Sequence, residues 1–107
     1  MKRYAIARHP SVEFDLEKIQ DFIAPVAGVK IAARITNQIN TRIDALRTLP
    51  HIGTVHAEPL PGLRAIPAAD KAVICFTVDD DAQTIRIISV TYASQDWQSI
   101  ASDRTQF

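Results

Sequence analysis

The sequence predicts an α+β fold: a small, mainly antiparallel sheet with an N-terminal helical hairpin packed on one face. Two observations carry this prediction. Through residues 10–48 apolar side chains recur at helical spacing in two blocks separated by a short break. Farther on, two β-rich and almost wholly apolar runs, 71–78 and 84–92, flank the polar stretch DDDAQ, the pattern of a β-hairpin. The predicted order is strand, helix, helix, strand, strand, strand, with room for a short C-terminal helix, all in a single domain over residues 1–107.

Each element has its own reason. In residues 3–8, RYAIAR, bulky Tyr4 and Ile6 alternate with Ala5 and Ala7, the two-residue period of a strand. Pro10 then suits a helix start, and Glu13, Asp15 and Glu17 suit the positive end of a helix dipole. Val12, Leu16, Ile19 and Ile23 form one stripe with Phe22 beside it, giving a helix over 10–24 ended by Pro25. After the connector APVAG, the residues Ala32, Ile35, Ile39, Ile43 and Leu46 define a second helix over about 28–48. Arg34, Asn37, Gln38, Thr41 and Arg42 point away from that stripe. Residues 50–62, with Gly53, Gly62 and several prolines, read as a loop. LRAIP is a short strand candidate. The runs KAVICFTV and TIRIISVTY are apolar on both faces, so the sheet should be covered on each side. In 94–104, Ser94 or Asp96 can cap a last helix from which Trp97 and Ile100 pack inward.

Composition narrows the classes of function. Apolar residues make up 47% of 107 residues, enough for a core, and twelve basic residues balance twelve acidic ones. A generally basic nucleic-acid binder is not indicated. The balance is uneven along the chain: residues 1–53 carry eight Lys/Arg against five acids, residues 54–107 four against seven. One cysteine, Cys75, lies in an apolar run and reads as a core residue with no need of an oxidising compartment. No apolar run reaches the roughly 18 residues of a membrane span, and the N-terminus lacks the apolar stretch of a signal peptide. The expectation is a cytoplasmic protein without membrane contact. His9, His51 and His56 lack metal-ligand spacing, so neither a metal nor another cofactor is expected.

The order of motifs resembles the RelE/ParE toxin superfamily of bacterial type II toxin–antitoxin systems. Its marks are the opening strand followed by HPSVEFDLEKIQDFI, the Asp15-Leu16 pair, and a long second helix ending DALRTLPHIG. The strongest is PGLRAIPAADKAVICFTVDDDAQTIRIISVTY, followed by Asp96. The wording is closest to ParE-like members. That resemblance implies a toxin that inhibits DNA gyrase by binding it, is neutralised by a cognate ParD-like antitoxin in a hetero-oligomer, and makes no sequence-specific contact with nucleic acid.

The alternatives the resemblance opens are a RelE-like ribosome-dependent mRNA endoribonuclease and a non-toxic binding module of the same fold. RNA cleavage requires a nucleophilic 2′-hydroxyl, stabilisation of a developing phosphorane and protonation of a leaving oxygen, so cations must converge on one phosphate. In RelE-like relatives part of that equipment comes from a basic and aromatic segment after the last strand. Here the segment is TYASQDW, which has Tyr92 and Trp97 but no cation, and Asp96 would repel phosphate. The sheet offers Arg64, Lys71 and Arg86, which strand alternation need not place on one face.

No catalytic residue is therefore assigned, and Arg64, Arg86, Tyr92 and Trp97 are the partner-binding candidates. Each also has a plainer reading. Arg64 could hold structure by pairing with an acid such as Asp96, Arg86 could simply face solvent, and Trp97 could anchor the core. Lys30, Arg34 and Arg42 on the second helix read as a solvated face that could also steer an acidic partner.

Overall fold

Both helices form where the apolar spacing requires them. The computed structural model describes residues 3–104 apart from 57, 59 and 94. Its elements run β1 (Ala5–Arg8), α1 (Val12–Ala27), α2 (Val29–Ala45), β2 (Thr54–Val55), β3 (Arg64–Ala68), β4 (Ala72–Asp79), β5 (Thr84–Tyr92) and α3 (Trp97–Asp103). Val12, Ile19 and Ile23 of α1 and Ala32, Ile35, Ile39 and Ile43 of α2 are buried, with Leu46 just beyond. Arg34, Asn37, Gln38, Thr41 and Arg42 are exposed.

The hairpin is tighter than the sequence suggests. Pro25 does not end α1, which continues to Ala27. A proline removes one helical N–H, but in the last turn the loss is a single bond, and the Gly28 N–H still donates to the Ala24 carbonyl at 2.9 Å. Gly28, at φ 98° and ψ 160°, ends α1 and begins α2, so the connector is one residue rather than APVAG. Helix α1 starts at Val12 instead of Pro10, because the chain first turns through His9. The Val12 N–H donates to the His9 carbonyl at 2.9 Å and the Ser11 N–H to His9 Nδ1 at 3.1 Å. At the other end, residues 46–48 leave α2 through shorter-range turns, such as the Leu46 N–H donating to the Ile43 carbonyl at 3.1 Å.

The sheet order is β1-β5-β4-β3-β2, parallel between β1 and β5 and antiparallel elsewhere. Strand β2 lies inside the segment read as loop. Its two residues pair with Arg64 and Ala65 of β3, and such a short edge carries too little periodicity to be legible. A bulge shifts the β4–β5 register between Cys75, opposite Ser89, and Phe76, opposite Ile87.

The bulge sorts the apolar residues into two cores, so the sheet is covered on both sides. Ile66, Ile74, Phe76, Ile85, Ile87 and Val90 pack against α1 and α2. Leu63, Ala65, Cys75 and Ile88 pack on the other face with Ala101 of α3, with Leu60 and Trp97 against them. Ion-pairing across the molecule closes the remaining edge. β1 ends opposite Ile87, leaving the following backbone groups of β5 without a strand beside them. Asp15 of α1 fills the gap: its Oδ2 accepts the Val90 N–H at 3.0 Å. Arg104, just past α3, donates to both oxygens of Asp15, at 2.6 and 2.8 Å, and to the Ile88 carbonyl at 3.2 Å.

Candidate functional site

Strand register decides where the polar residues of the sheet point. Arg64 pairs with Phe76, whose ring belongs to the helix-side core, whereas Arg86 pairs with Thr77, the next residue along β4. Successive residues of a strand face opposite sides, so the two guanidinium groups lie near one end of the sheet on opposite faces. Lys71 precedes Ala72 in the β3–β4 turn, at the far end of the hairpin, about 17 Å along the strand at ~3.3 Å per residue. The three cations do not converge.

On the helix side Arg64 joins a polar cluster that the sequence does not reveal. Its Nη1 donates to the His51 carbonyl at 3.0 Å. The His51 Nε2 lies 2.7 Å from Asp80 Oδ1, which also accepts the Tyr4 hydroxyl at 2.7 Å. The Tyr4 hydroxyl bond, then the His51 contact, hold the Asp80 carboxyl below its ordinary 3.8. The same bond to Asp80 raises the Tyr4 phenol above its ordinary 10.0. Tyr4 precedes β1, His51 follows α2 and Asp80 opens the β4–β5 turn, so folding alone brings them together. Arg64 does not pair with Asp96. Asp96 accepts the Ser99 N–H at 3.2 Å and so caps α3, as one of the two cap candidates; Ser94 lies outside the described residues.

On the opposite face Arg86 Nη1 lies 3.7 Å from Asp79 Oδ2, both side chains partly exposed. Arg86 lines an open cleft of about 620 Å³ with Leu60, Pro61, Thr77, Ile88 and the acidic β4–β5 turn. Leu60 and Ile88 also touch the small core on which Trp97 packs, and the Trp97 ring meets His56 edge-on at 4.8 Å. Tyr92 faces the helices, its ring 6.1 Å from the exposed Phe22, beside a small pocket of about 210 Å³ that also touches Lys18 and Gln95. Of TYASQDW, Thr91 and Tyr92 thus end β5, Trp97 begins α3, and Ala93, Gln95 and Asp96 lie between them. Ala93 adopts φ 59° with its N–H on the Lys71 carbonyl, and the Gln95 side chain accepts the Tyr92 N–H at 2.9 Å.

Among the described residues, no group of three His, Cys, Asp or Glu side chains is gathered as a metal site, and no helix is long and apolar enough to cross a membrane. Cys75 is buried, and burial pushes its thiol up to about 11.

A strand, a helical hairpin and a mixed five-stranded sheet with a short last helix make an α+β architecture in the order strand, helix, helix, four strands, helix. The model of the family "ParE toxin of type II toxin-antitoxin system, parDE" matches residues 6–97, and the chain belongs to that family. No curated protein matches it by sequence. Among solved structures it is similar to the chromosomal ParDE system from P. aeruginosa, with a TM-score of 0.72 and 17% identity over 86% of this chain and 98% of that one. The toxin–antitoxin complex RelBE2 from Mycobacterium tuberculosis gives 0.61 and 17% over 85% and 99%. A doubly arginine-substituted E. coli toxin RelE in the free state gives 0.67 and 15% over 97% and 99%. At these identities the likeness is one of fold.

Proposed function

We propose that this toxin acts by binding, in the ParE manner: it inhibits DNA gyrase in the cytoplasm and is held inactive by a cognate antitoxin. Membership of the ParE family supports this, as does the likeness of fold to the solved ParDE system and RelBE2 toxin–antitoxin complex. The single observation that favours binding over RNA cleavage is the separation of Arg64, Lys71 and Arg86, which leaves no common point for a phosphate. The contact candidates are Arg86 and Trp97 on one face, with Arg64 and Tyr92 on the other.

The test is induction of the protein from a tight promoter, with DNA synthesis, protein synthesis and messenger RNA ends followed in the same cells. Early loss of DNA synthesis with intact messages, and inhibition of purified gyrase by purified toxin, is the expected result. Early loss of translation with new message ends overturns it.

One observation favours the second reading, an mRNA endoribonuclease. The His51 Nε2 lies 2.7 Å from Asp80 Oδ1 and the His51 carbonyl accepts from Arg64, so in the tautomer protonated at Nε2 the Nδ1 atom can act as a base. The Asp80 carboxylate opposes phosphate binding there. If messages are cut, His51→Ala abolishes the cutting.

A further inference from the structure

The helical hairpin carries opposite charges on its two helices. On α1, Glu13, Glu17 and Asp21 are exposed; on α2, Lys30, Arg34 and Arg42 are exposed. None of Glu13, Glu17, Asp21, Lys30 and Arg34 makes a side-chain hydrogen bond or ion pair among the described residues. Arg42 has only a long 3.4 Å contact from Nε to the Pro67 carbonyl. The other charged residues of the hairpin are placed elsewhere. Asp15 is buried against Arg104, Asp44 pairs with Arg47 at 2.8 Å, and Lys18 lies on the flank beside Phe22 and Tyr92. Because α1 and α2 run antiparallel from Gly28, equal counts from it are equal heights. The bond from Gln20 Nε2 to Thr36 Oγ1 at 3.2 Å, eight residues to either side of Gly28, fixes this register. Asp21 lies seven residues before Gly28 and Arg34 six after; Glu13 lies fifteen before and Arg42 fourteen after; Glu17 and Gln38 stand between, at eleven and ten. At about 1.5 Å per residue, each pair is level to within about 2 Å. Phe14 is 64% exposed and shares a face with Glu17 and Asp21 at helical spacing; its height falls between those of Thr41 and Ala45 on α2, both small and exposed.

We infer that the hairpin pairs with the hairpin of a second copy of this chain, as an isologous dimer. A two-fold axis parallel to the helices lays α1 of each copy on α2 of the other, with both hairpin turns at the same end. Asp21 of each copy then meets Arg34 of the other, Glu13 meets Arg42, Glu17 meets the Gln38 amide, and Phe14 seats between Thr41 and Ala45. Every contact occurs twice. A two-fold axis across the helices would instead stack α1 on α1 and α2 on α2, acids against acids and cations against cations, so charge selects one arrangement. A wholly acidic or wholly basic partner would leave one stripe facing like charge, whereas a second copy satisfies both. The zero formal net charge of the chain removes long-range repulsion between copies. Two helices about 25 Å long and together about 20 Å wide bury about 500 Å² per copy, about 1,000 Å² in all, the lower bound of a specific interface. Such an area suits a reversible dimer with a micromolar Kd.

The test is sedimentation equilibrium of the full-length protein across the micromolar range, at low and at high salt. It uses this chain alone, so its result stands apart from gyrase and antitoxin binding. Two charge-reversed variants, Arg34→Glu/Arg42→Glu and Glu13→Lys/Asp21→Lys, alter exposed positions only, and circular dichroism and thermal melting check their folds. The unaltered protein should dimerise, less tightly at high salt, and each variant alone should associate at least about 10-fold more weakly. An equimolar mixture of the two variants should recover the dimer, because each reversed stripe then meets its complement. Phe14→Ser, which leaves every charge in place, should weaken the unaltered dimer about 10-fold, as general attraction between charged surfaces would not. A monomer throughout the range overturns the inference without recourse to any variant. So do a dimer indifferent to the reversals or to Phe14→Ser, and a mixture of the folded variants that stays monomeric.

Discussion

Replacing Asp15 by alanine tests the central tie of the fold. The Asp15 side chain is 8% exposed and its partner Arg104 is 19% exposed. Asp15→Ala removes the acceptor of the Val90 amide and both acceptors of the Arg104 guanidinium. Breaking a buried charge pair from one side costs about 3–5 kcal/mol, because the remaining charge is left in a poorly solvated place. Arg104 keeps some access to water and its bond to the Ile88 carbonyl, so the low end applies, about 3 kcal/mol. For a chain of this length a loss of 1 kcal/mol lowers the melting temperature by about 4 °C, so the expected drop is about 12 °C. Urea denaturation of Asp15→Ala, Arg104→Ala and the double variant checks the pairing. The double variant should lose at least ~1.5 kcal/mol less than the two single losses added together. Asp44→Ala is the control: its pair with Arg47 is exposed to solvent, so its loss should leave the denaturation midpoint close to that of the unaltered protein. A loss below ~1 kcal/mol for Asp15→Ala, or strict additivity in the cycle, refutes the account of the closed β5 edge.

Three further outcomes are expected. Gly53 sits at φ 91°, and a Cβ there would lie 2.5 Å from Ile66 Cγ2 and 2.7 Å from the Ala65 oxygen, so Gly53→Ala should cost about 2–4 kcal/mol. Gly28→Ala meets no atom within 4 Å, but at φ 98° and ψ 160° the backbone is one that only glycine adopts readily, so it should still cost about 1–3 kcal/mol through strain alone; no loss on denaturation would contradict this. Cys75, buried and with its thiol pushed up to about 11, should resist a thiol reagent at pH 8 in the native protein and react fully in denaturant; fast native labelling would show that the second core is open. Asp80 has a lowered folded pKa, so its contribution to stability is present above the unfolded carboxyl value and lost as pH falls through the folded one. Tyr4 has the opposite sign: its contribution is full below the unfolded phenol value and lost as pH rises through the folded one. In a carboxyl NMR titration, Tyr4→Phe should move the Asp80 midpoint up toward 3.8, and an unmoved midpoint would refute the hydrogen bond as its cause.

The sequence by itself determined the elements that bury one regular face. The stripes of Val12, Ile19 and Ile23, and of Ala32, Ile35, Ile39, Ile43 and Leu46, are the buried faces of α1 and α2, because helical periodicity is a local property. The β5 span 84–92 and the covering of the sheet on both sides were legible for the same reason. Only the tertiary structure decided what depends on register and on distant pairing. Arg64 and Arg86 lie on opposite faces because they oppose consecutive residues of β4, which no property of either strand alone reveals. Asp15 finds Arg104, and Tyr4 and His51 find Asp80, across separations in sequence that leave no periodic trace. Even Pro25, a strong local stop, yielded to context, since a helix one turn from its end loses only one hydrogen bond at a proline and α1 could run on to Gly28.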